Sequence, residues 1–100
     1  MAENRFKTKI LIPELRRMFP GCFILHLDPN EIQGIPDLLI LYNNKWAVLE
    51  AKDYAGARHQ PNQDYYVDVM NTMSFAAFIY PENKEDVLDN LYFYFTQSYR

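Results

Sequence analysis

The sequence predicts one α/β domain spanning residues 1–100, with its elements in the order helix, three strands, helix, strand, helix. Three observations support this prediction. A chain of 100 residues can supply only one hydrophobic core. Stretches whose apolar residues recur at helical spacing alternate with short, continuous apolar runs that are typical of strands. Residues that favour turns, chiefly Pro, Gly and Asn, separate these stretches.

A first helix is predicted over about residues 3–18, and a strand follows it. The apolar residues near helical spacing in this helix are Phe6, Ile10, Leu11, Leu15 and Met18. Pro20-Gly21 ends the pattern, and "CFILHLD" is the strand candidate. The single Cys22 lies among apolar neighbours and cannot form an internal disulfide, so we expect a small buried side chain rather than a reactive thiol.

The next two strands form a predicted hairpin. Asp28-Pro29-Asn30 turns the chain, and a loop runs to Gly34. "DLLILY" is a continuous apolar run, as expected of a strand that is covered on both faces, and "KWAVLEAK" is its partner. Asn43-Asn44 joins them, because Asn tolerates the left-handed backbone conformation that a tight hairpin turn needs.

The second half of the chain is predicted as helix, strand, helix. Pro61 suits the first position of a helix. The apolar stripe predicted for that helix consists of Tyr65, Tyr66, Val69, Met70 and Met73. "FAAFIY" is predicted as the last strand, and residues from about 84 to 98 as the final helix.

Charge is unevenly distributed along a mildly acidic chain. The formal net charge is −3 and the pI is about 5.2, which alone argues against a nucleic-acid-binding protein. Basic residues nevertheless crowd the start of the chain at Arg5, Lys7, Lys9, Arg16 and Arg17. Acidic residues collect near its end at Glu82, Glu85, Asp86 and Asp89. This distribution can present one basic edge to a partner.

Membrane and export signals are not evident in the sequence. No stretch approaches the roughly 18 uncharged apolar residues of a membrane span. The start, MAENRFKTKI, is too polar for a secretory signal. We therefore expect a soluble cytoplasmic protein with no membrane partner.

The predicted hairpin brings two carboxylates together. A hairpin centred on Asn43-Asn44 places Asp37 directly opposite Glu50. Opposed side chains share a face with their Cβ atoms about 4.5 to 5.5 Å apart. Lys52 lies two residues beyond Glu50 and therefore points to the same face.

Two facing carboxylates destabilise a hairpin unless something compensates their charge. A hard divalent cation would do so, because Mg²⁺ takes carboxylate oxygens while keeping water and phosphate oxygens in its other positions. The ammonium of Lys52 could then hold a water molecule or balance charge that builds up on a phosphate. The alternative is a solvated carboxylate pair at a fraying strand end, neutralised by Lys52.

Pro36-Asp37, followed by Glu50-Ala51-Lys52 on the next strand, resembles the PD-(D/E)XK nuclease signature. "GIPD", the "EAK" strand and a downstream Gln that opens a helix are similar to the compact VRR-type branch, which occurs in standalone viral and bacterial proteins. The resemblance covers about residues 3–80. It implies a small restriction-endonuclease-like αβββαβ core, with a central mixed sheet flanked by helices, plus a C-terminal helix.

The resemblance also implies a catalytic site. Asp37 and Glu50 would bind Mg²⁺ or Mn²⁺, and Lys52 would assist the attacking water. Gln63 matches the family's Gln by position, and in the first turn of a helix its amide could orient a phosphate or a water molecule. Gln60, at the expected N-cap, competes for this role.

A further acidic metal ligand is implied on the first helix. Glu3 and Glu14 are the candidates, and Glu3 fits the opening of phage members better. Glu14 could instead form an exposed pair with Arg17. Asp28 could add a metal oxygen from its loop, although a turn-forming Asp before Pro explains that residue equally well.

Several basic residues are candidates for contacts with DNA. Arg58 and the first-helix residues Lys9 and Arg16 are expected to contact the phosphate backbone, which supplies most sequence-independent affinity. His59 could also contact phosphate, while a solvated loop histidine is the simpler interpretation.

Together these features predict a divalent-metal-dependent endodeoxyribonuclease. The final helix carries the aromatic run "LYFYF" and apolar residues on more than one face, so we expect a homodimer to cover it. Two sites related by a twofold axis suit a four-way junction, and the resemblance favours a structure-selective Holliday junction resolvase of phage or prophage origin that acts in the host cytoplasm. The alternatives are a nuclease of flaps, nicks or undirected duplex, and a non-catalytic nucleic-acid- or protein-binding module that retains the fold.

Overall fold

A four-stranded mixed sheet forms the centre of the computed structural model, which describes residues 5–97. The strands are β1 (Phe23–His26), β2 (Leu38–Tyr42), β3 (Lys45–Ala51) and β4 (Phe75–Ile79). They lie in this order across the sheet. The pairs β1–β2 and β2–β3 are antiparallel, whereas β4 runs parallel to β3.

Helices flank the sheet and follow the predicted order. The first helical element of the described residues is a π-helical segment, Phe6–Leu11, which continues into α1, Ile12–Met18. The other two helices are α2, Gln63–Met73, and α3, Lys84–Thr96. Because β3 and β4 are parallel, their connection must cross over the sheet, and α2 lies within that crossover. No helix within residues 5–97 is both long enough and apolar enough to cross a membrane.

Two hydrophobic clusters hold these layers together. The larger one joins the first helical region and α3 to one face of the sheet, and its fully buried members include Leu11, Leu15, Phe19, Leu38, Ile40, Leu49, Ile79, Leu91 and Phe95. The smaller one consists of Val48, Val67 and Ala76 and joins α2 to β3 and β4. Cys22 is a buried member of the larger cluster, and burial raises the pKa of its thiol.

The β2–β3 hairpin has the predicted register. Tyr42 pairs with Lys45 across the turn, and the ladder continues to Leu38 opposite Leu49. Asn43 and Asn44 both have positive φ, at 53° and 50°, as a two-residue turn that matches the strand twist requires.

The first helix differs from the prediction in its geometry. Its first part is π-helical: the N–H of Ile12 donates to the carbonyl oxygen of Lys7, five residues earlier. Pro13 has no N–H with which to continue an α-helical ladder. Isolated π-helical turns are rare in proteins, and those that occur are often found at functional sites.

The helix after Pro61 starts later than predicted. Asn62 has a φ of 73°, which is left-handed, so α2 begins at Gln63 and Pro61 is outside it. The predicted apolar stripe is also wrong in part, because Tyr65 and Met73 are exposed. The face that packs on the sheet instead follows Gln63, Val67 and Met70 at helical spacing.

Gly34 fixes the loop before β2 against the start of α2. Its φ is +91°, and a Cβ built on it would lie 2.6 Å from Asn62 Cβ and 2.7 Å from the Pro61 carbonyl oxygen. Only glycine allows this approach of two backbones. The contact therefore sets the distance between the chain that enters β2 and the first turn of α2.

Gly34→Ala is expected to destabilise the fold more than Gly21→Ala does. Both glycines have positive φ, but a Cβ on Gly21 would have nothing within 4 Å. Backbone strain should cost about 1–2 kcal/mol at either position, and the clash at Gly34 about 1–3 kcal/mol more. Urea unfolding monitored by circular dichroism measures both losses. Equal losses would mean that the Gly34 contact does not constrain the loop.

Candidate active site

The sheet brings Asp37 and Glu50 together at one end of the β2–β3 hairpin. The β2–β3 ladder ends at the Leu38–Leu49 pair, Asp37 immediately precedes β2, and Glu50 is the next residue of β3. Both acids line the same pocket. The pKa of the Glu50 carboxyl is raised, chiefly by burial, and the nearby charge of Asp37 raises it further. Glu50 is only 8% exposed, so this pair lies at the edge of the protein interior.

Lys52 lies beside Glu50 on the same face of the sheet. Its Nζ is 3.7 Å from Glu50 Oε2. The ammonium also donates to the carbonyl oxygen of Arg58 at 3.1 Å. The backbone N–H of Lys52 donates to Ile79 O at 2.8 Å, which holds the end of β3 against β4. The position of this ammonium is thus fixed by both its backbone and its side-chain contacts.

Gln63 connects the acid and the ammonium. Its Nε2 donates to Glu50 Oε2 at 3.2 Å, and its Oε1 accepts from Lys52 Nζ at 2.8 Å. Gln60 contributes a backbone N–H to the same Oε1, at 2.9 Å, while Gln60 itself is exposed. The residue that reaches the carboxylates is therefore Gln63 rather than Gln60.

Lys7 joins the site and was not identified from the sequence. Its Nζ lies 2.7 Å from Asp37 Oδ2, and its side chain is only 9% exposed. The sequence did contain a signal, because Lys7 is four residues before Leu11 and shares its helical stripe. The ammonium of a lysine on a stripe of core residues needs an acceptor within its reach, and the half-buried Asp37 provides one.

The pKa of the Glu50 carboxyl is raised above its ordinary value. Burial is the main cause, since it disfavours the charged form. Lys52 lowers this pKa, Asp37 raises it, and a backbone hydrogen bond from Asp37 and the charge of Lys7 lower it further. The net direction shows that two ammonium groups do not fully offset the loss of solvent around Glu50.

A pocket of about 120 Å³ opens beside the carboxylates. It is lined by Asp37, Glu50 and Gln63 together with Leu27, Pro29 and Ile35. The volume far exceeds the roughly 10–15 Å³ needed to admit one water molecule. Two carboxylates at a pocket of this size fit a hard cation such as Mg²⁺, which commonly takes one or two protein carboxylates and fills its other positions with water or phosphate.

The third acidic ligand expected on the first helix is not established. Glu3 lies outside the described residues. Glu14 instead pairs with Arg17 at 2.5 Å and with Lys84 at 3.9 Å, on the side of the chain that faces α3. Asp28 accepts the N–H of Asn30 at 2.9 Å, which is the turn-forming role. Residues 5–97 contain no group of three or more His, Cys, Asp or Glu side chains suited to a metal.

The residues expected to bind DNA are all exposed. Lys9 lies on the π-helical segment, Arg16 on α1, and Arg58 in the loop that contacts Lys52. Arg58 is the one whose backbone contacts the site, since its carbonyl oxygen accepts from the Lys52 ammonium.

His59 is held more firmly than a solvated loop histidine. Its ring stacks on Phe78 with the centroids 4.1 Å apart, and its Nδ1 lies 2.7 Å from Asp64 Oδ1. These contacts fix the loop that carries Arg58 against α2 and β4.

Comparison with protein-family models, with curated proteins and with solved structures gives no match. The interpretation of the site therefore depends on its geometry. Two carboxylates and an amide line one pocket, with the Lys52 ammonium bonded to the amide beside it. Glu50, Lys52 and Gln63 hold one another, and Lys7 holds Asp37. Such a group can hold a hard cation and orient a water molecule near a phosphate.

Ionisation of Glu50 is expected to lower the stability of the metal-free protein. Its pKa in the folded chain is raised above the ordinary 4.5, so the folded state binds more protons than the unfolded state in this range. The contribution of protonated Glu50 to the free energy of unfolding is complete below pH 4.5, and it falls as the pH rises through the folded-state pKa. Glu50→Gln cannot ionise and lacks this dependence.

Urea unfolding of both proteins in EDTA, from pH 4.5 to neutral pH, measures the effect. The free energy of unfolding of the wild type, minus that of Glu50→Gln, should decrease as the pH rises. Glu85→Gln makes the same chemical change at an exposed position of α3 and is the control. A difference that grows with pH would contradict the raised pKa.

Proposed function

We propose that this protein is a divalent-metal-dependent endodeoxyribonuclease of the PD-(D/E)XK type, similar to the VRR branch. The observation that carries the proposal is that Asp37, Glu50 and Gln63 line one pocket, while Lys52 contacts both Glu50 and Gln63 beside it. The order of the elements supports it, since the acids lie on an antiparallel hairpin and Gln63 opens the helix of the following crossover.

Asp37 and Glu50 are the residues that would hold Mg²⁺ or Mn²⁺. When bound, the cation supplies Lewis acidity that polarises a phosphodiester and neutralises charge on its oxygens. The protein's part is to keep both carboxylates at the pocket against their mutual repulsion. Gln63 does this for Glu50 through a hydrogen bond of 3.2 Å, and Lys7 does it for Asp37 through an ion pair of 2.7 Å.

Lys52 is the residue that would act on water and phosphate. Its ammonium is held at 2.8 Å by Gln63 Oε1 and at 3.1 Å by Arg58 O, so it enters the reaction already oriented. In this position it can orient the attacking water and offset negative charge that develops on the phosphate. Gln63 accepts a hydrogen bond from Lys52 with its side-chain oxygen and donates one to Glu50 with its side-chain nitrogen. These two bonds fix the Lys52 ammonium relative to the Glu50 carboxylate.

The substrate would be held mainly through its phosphates. Arg58, Lys9 and Arg16 are the exposed cations proposed to contact the backbone of DNA. With a net charge of −3, the chain should bind DNA modestly and with strong dependence on salt. Such binding suits an enzyme that acts on DNA rather than a protein that coats it.

A homodimer that resolves four-way junctions is the proposed biological form. Tyr92 and Phe93 on α3 are 51% and 66% exposed, whereas Phe95 on the same helix is fully buried. Large exposed aromatic side chains on one helix favour burial in an interface. A twofold axis through such an interface would present two sites to a symmetric junction.

A second candidate is a non-catalytic nucleic-acid-binding module. The observation that favours it is the pairing of both carboxylates with lysines, which compensates their charge without any metal. A descendant that had lost catalysis could keep this arrangement for stability alone. The variants Asp37→Asn and Lys52→Met, which each remove one charge from the site, separate this candidate from the nuclease.

Asp37→Asn and Lys52→Met are each expected to lower DNA cleavage by at least about 100-fold, since they remove a metal ligand and an oriented ammonium. Cleavage is measured on a labelled four-way junction with Mg²⁺ or Mn²⁺, and binding is measured by gel shift in EDTA. Binding should persist in both variants. Asp68→Asn and Lys84→Met make the same changes outside the site and should cut normally. Undiminished cleavage by both site variants would refute the proposal.

The wild-type protein is expected to cut a four-way junction at least about tenfold faster than a linear duplex of matched sequence. It should also sediment at twice the monomer mass of 11.9 kDa. Flap and nicked duplexes complete the substrate panel. Equal rates on junction and linear duplex would exclude the resolvase function while leaving the nuclease function intact.

A further inference from the structure

Four buried or half-buried charges form one compensated cluster, in which the two acids line the pocket and the two lysines contact them. Asp37 and Glu50 carry the negative charges, and Lys7 and Lys52 carry the positive ones. The two lysines differ in origin and contacts. Lys52 directly follows β3, and its ammonium donates a hydrogen bond to Gln63. Lys7 instead reaches the site from the π-helical segment.

Lys7 contacts the acid that is proposed to bind metal. Its ammonium is 2.7 Å from Asp37 Oδ2, within the range of a charge-assisted hydrogen bond. A divalent cation at the same carboxylate would meet this ammonium at short range, and two cations at one acid repel each other. The repulsion is poorly screened because the Lys7 side chain is only 9% exposed.

We propose that Lys7 is an internal counter-cation that occupies Asp37 in the metal-free protein and weakens the binding of a divalent metal there. This inference rests on the proposed function, since it takes Asp37 and Glu50 as the metal ligands. Lys7 keeps the two acids together before metal arrives, and the metal must then displace or repel its ammonium.

The arrangement links metal binding to the substrate. A cluster with two carboxylates and two ammonium groups gains a double positive charge when a divalent metal enters. A phosphate of the substrate would compensate part of that charge. Metal should therefore bind weakly to the protein alone, and removal of the Lys7 charge should strengthen that binding.

Two neutral variants and two controls separate charge from structure. Lys7→Gln keeps a donor for Asp37 and removes the charge, while Lys7→Met removes both. Lys7→Arg keeps the charge. Arg5→Met changes the net charge by the same amount at the exposed residue that precedes the same helical segment.

Mn²⁺ is titrated into each metal-free protein without DNA, and free Mn²⁺ is followed by electron paramagnetic resonance. Lys7→Gln and Lys7→Met should bind about tenfold more tightly than the wild type, which corresponds to about 1.4 kcal/mol. The Mn²⁺ affinities of Lys7→Arg and Arg5→Met should stay within about twofold of the wild-type value, since Lys7→Arg keeps the charge and Arg5→Met removes one that solvent screens.

Thermal unfolding provides a second readout in case Lys7→Met does not fold. Saturating Mn²⁺ should raise the melting temperature of Lys7→Gln more than that of the wild type or Arg5→Met. Unchanged or weaker Mn²⁺ binding by Lys7→Gln would overturn the inference and leave Lys7 a structural partner of Asp37.

The variant Asp37→Asn separates this failure from failure of the proposed function. If Mn²⁺ binding by wild type and Lys7→Gln is insensitive to Asp37→Asn, the metal site itself is refuted. If binding requires Asp37 but does not tighten without the Lys7 charge, only the counter-cation inference is refuted.

Discussion

The register of the β2–β3 hairpin is the constraint on which both the core and the site depend. Side chains alternate between faces along a strand, so the ladder that buries Leu38 and Leu49 against the larger cluster also turns Asp37 and Glu50 to the other face. A register slip of one residue would turn the apolar side chains of a strand away from the larger cluster and its acidic side chain towards it. The positive φ of Asn43 and Asn44 closes the turn in a single register. Two asparagines thus determine where the acids meet.

Burial makes the acids costly, and the rest of the site offsets that cost. Removing one partner of a buried ion pair leaves an uncompensated charge, which typically costs about 3–5 kcal/mol. Here the partners come from different parts of the chain: Lys7 from the first helical segment, Lys52 from the end of β3 and Gln63 from α2. The contact of Gly34 with Asn62 keeps Gln63, the next residue, within reach of the hairpin. The site is therefore coupled to the packing of every layer around it.

Local patterns account for what could be predicted, and tertiary contacts account for what could not. The element order follows from apolar spacing and turn residues, and the meeting of the acids follows from hairpin geometry alone. The start of α2 was misplaced because the left-handed backbone at Asn62 has no unique sequence signal. Lys7 was missed because its partner lies 30 residues away. Its place on a core stripe was visible, but nothing local to position 7 identifies Asp37 as the acceptor.

The crossover between β3 and β4 has a consequence for folding. The hairpin closes through two residues and can form early, whereas the parallel pairing of β3 with β4 must first enclose a long connection that includes α2. A nascent chain with only the hairpin formed has its two acids side by side, without the amide of Gln63. We therefore expect the complete constellation of Asp37, Glu50, Lys52 and Gln63 to be assembled only in the last stages of folding, when α2 docks on the sheet.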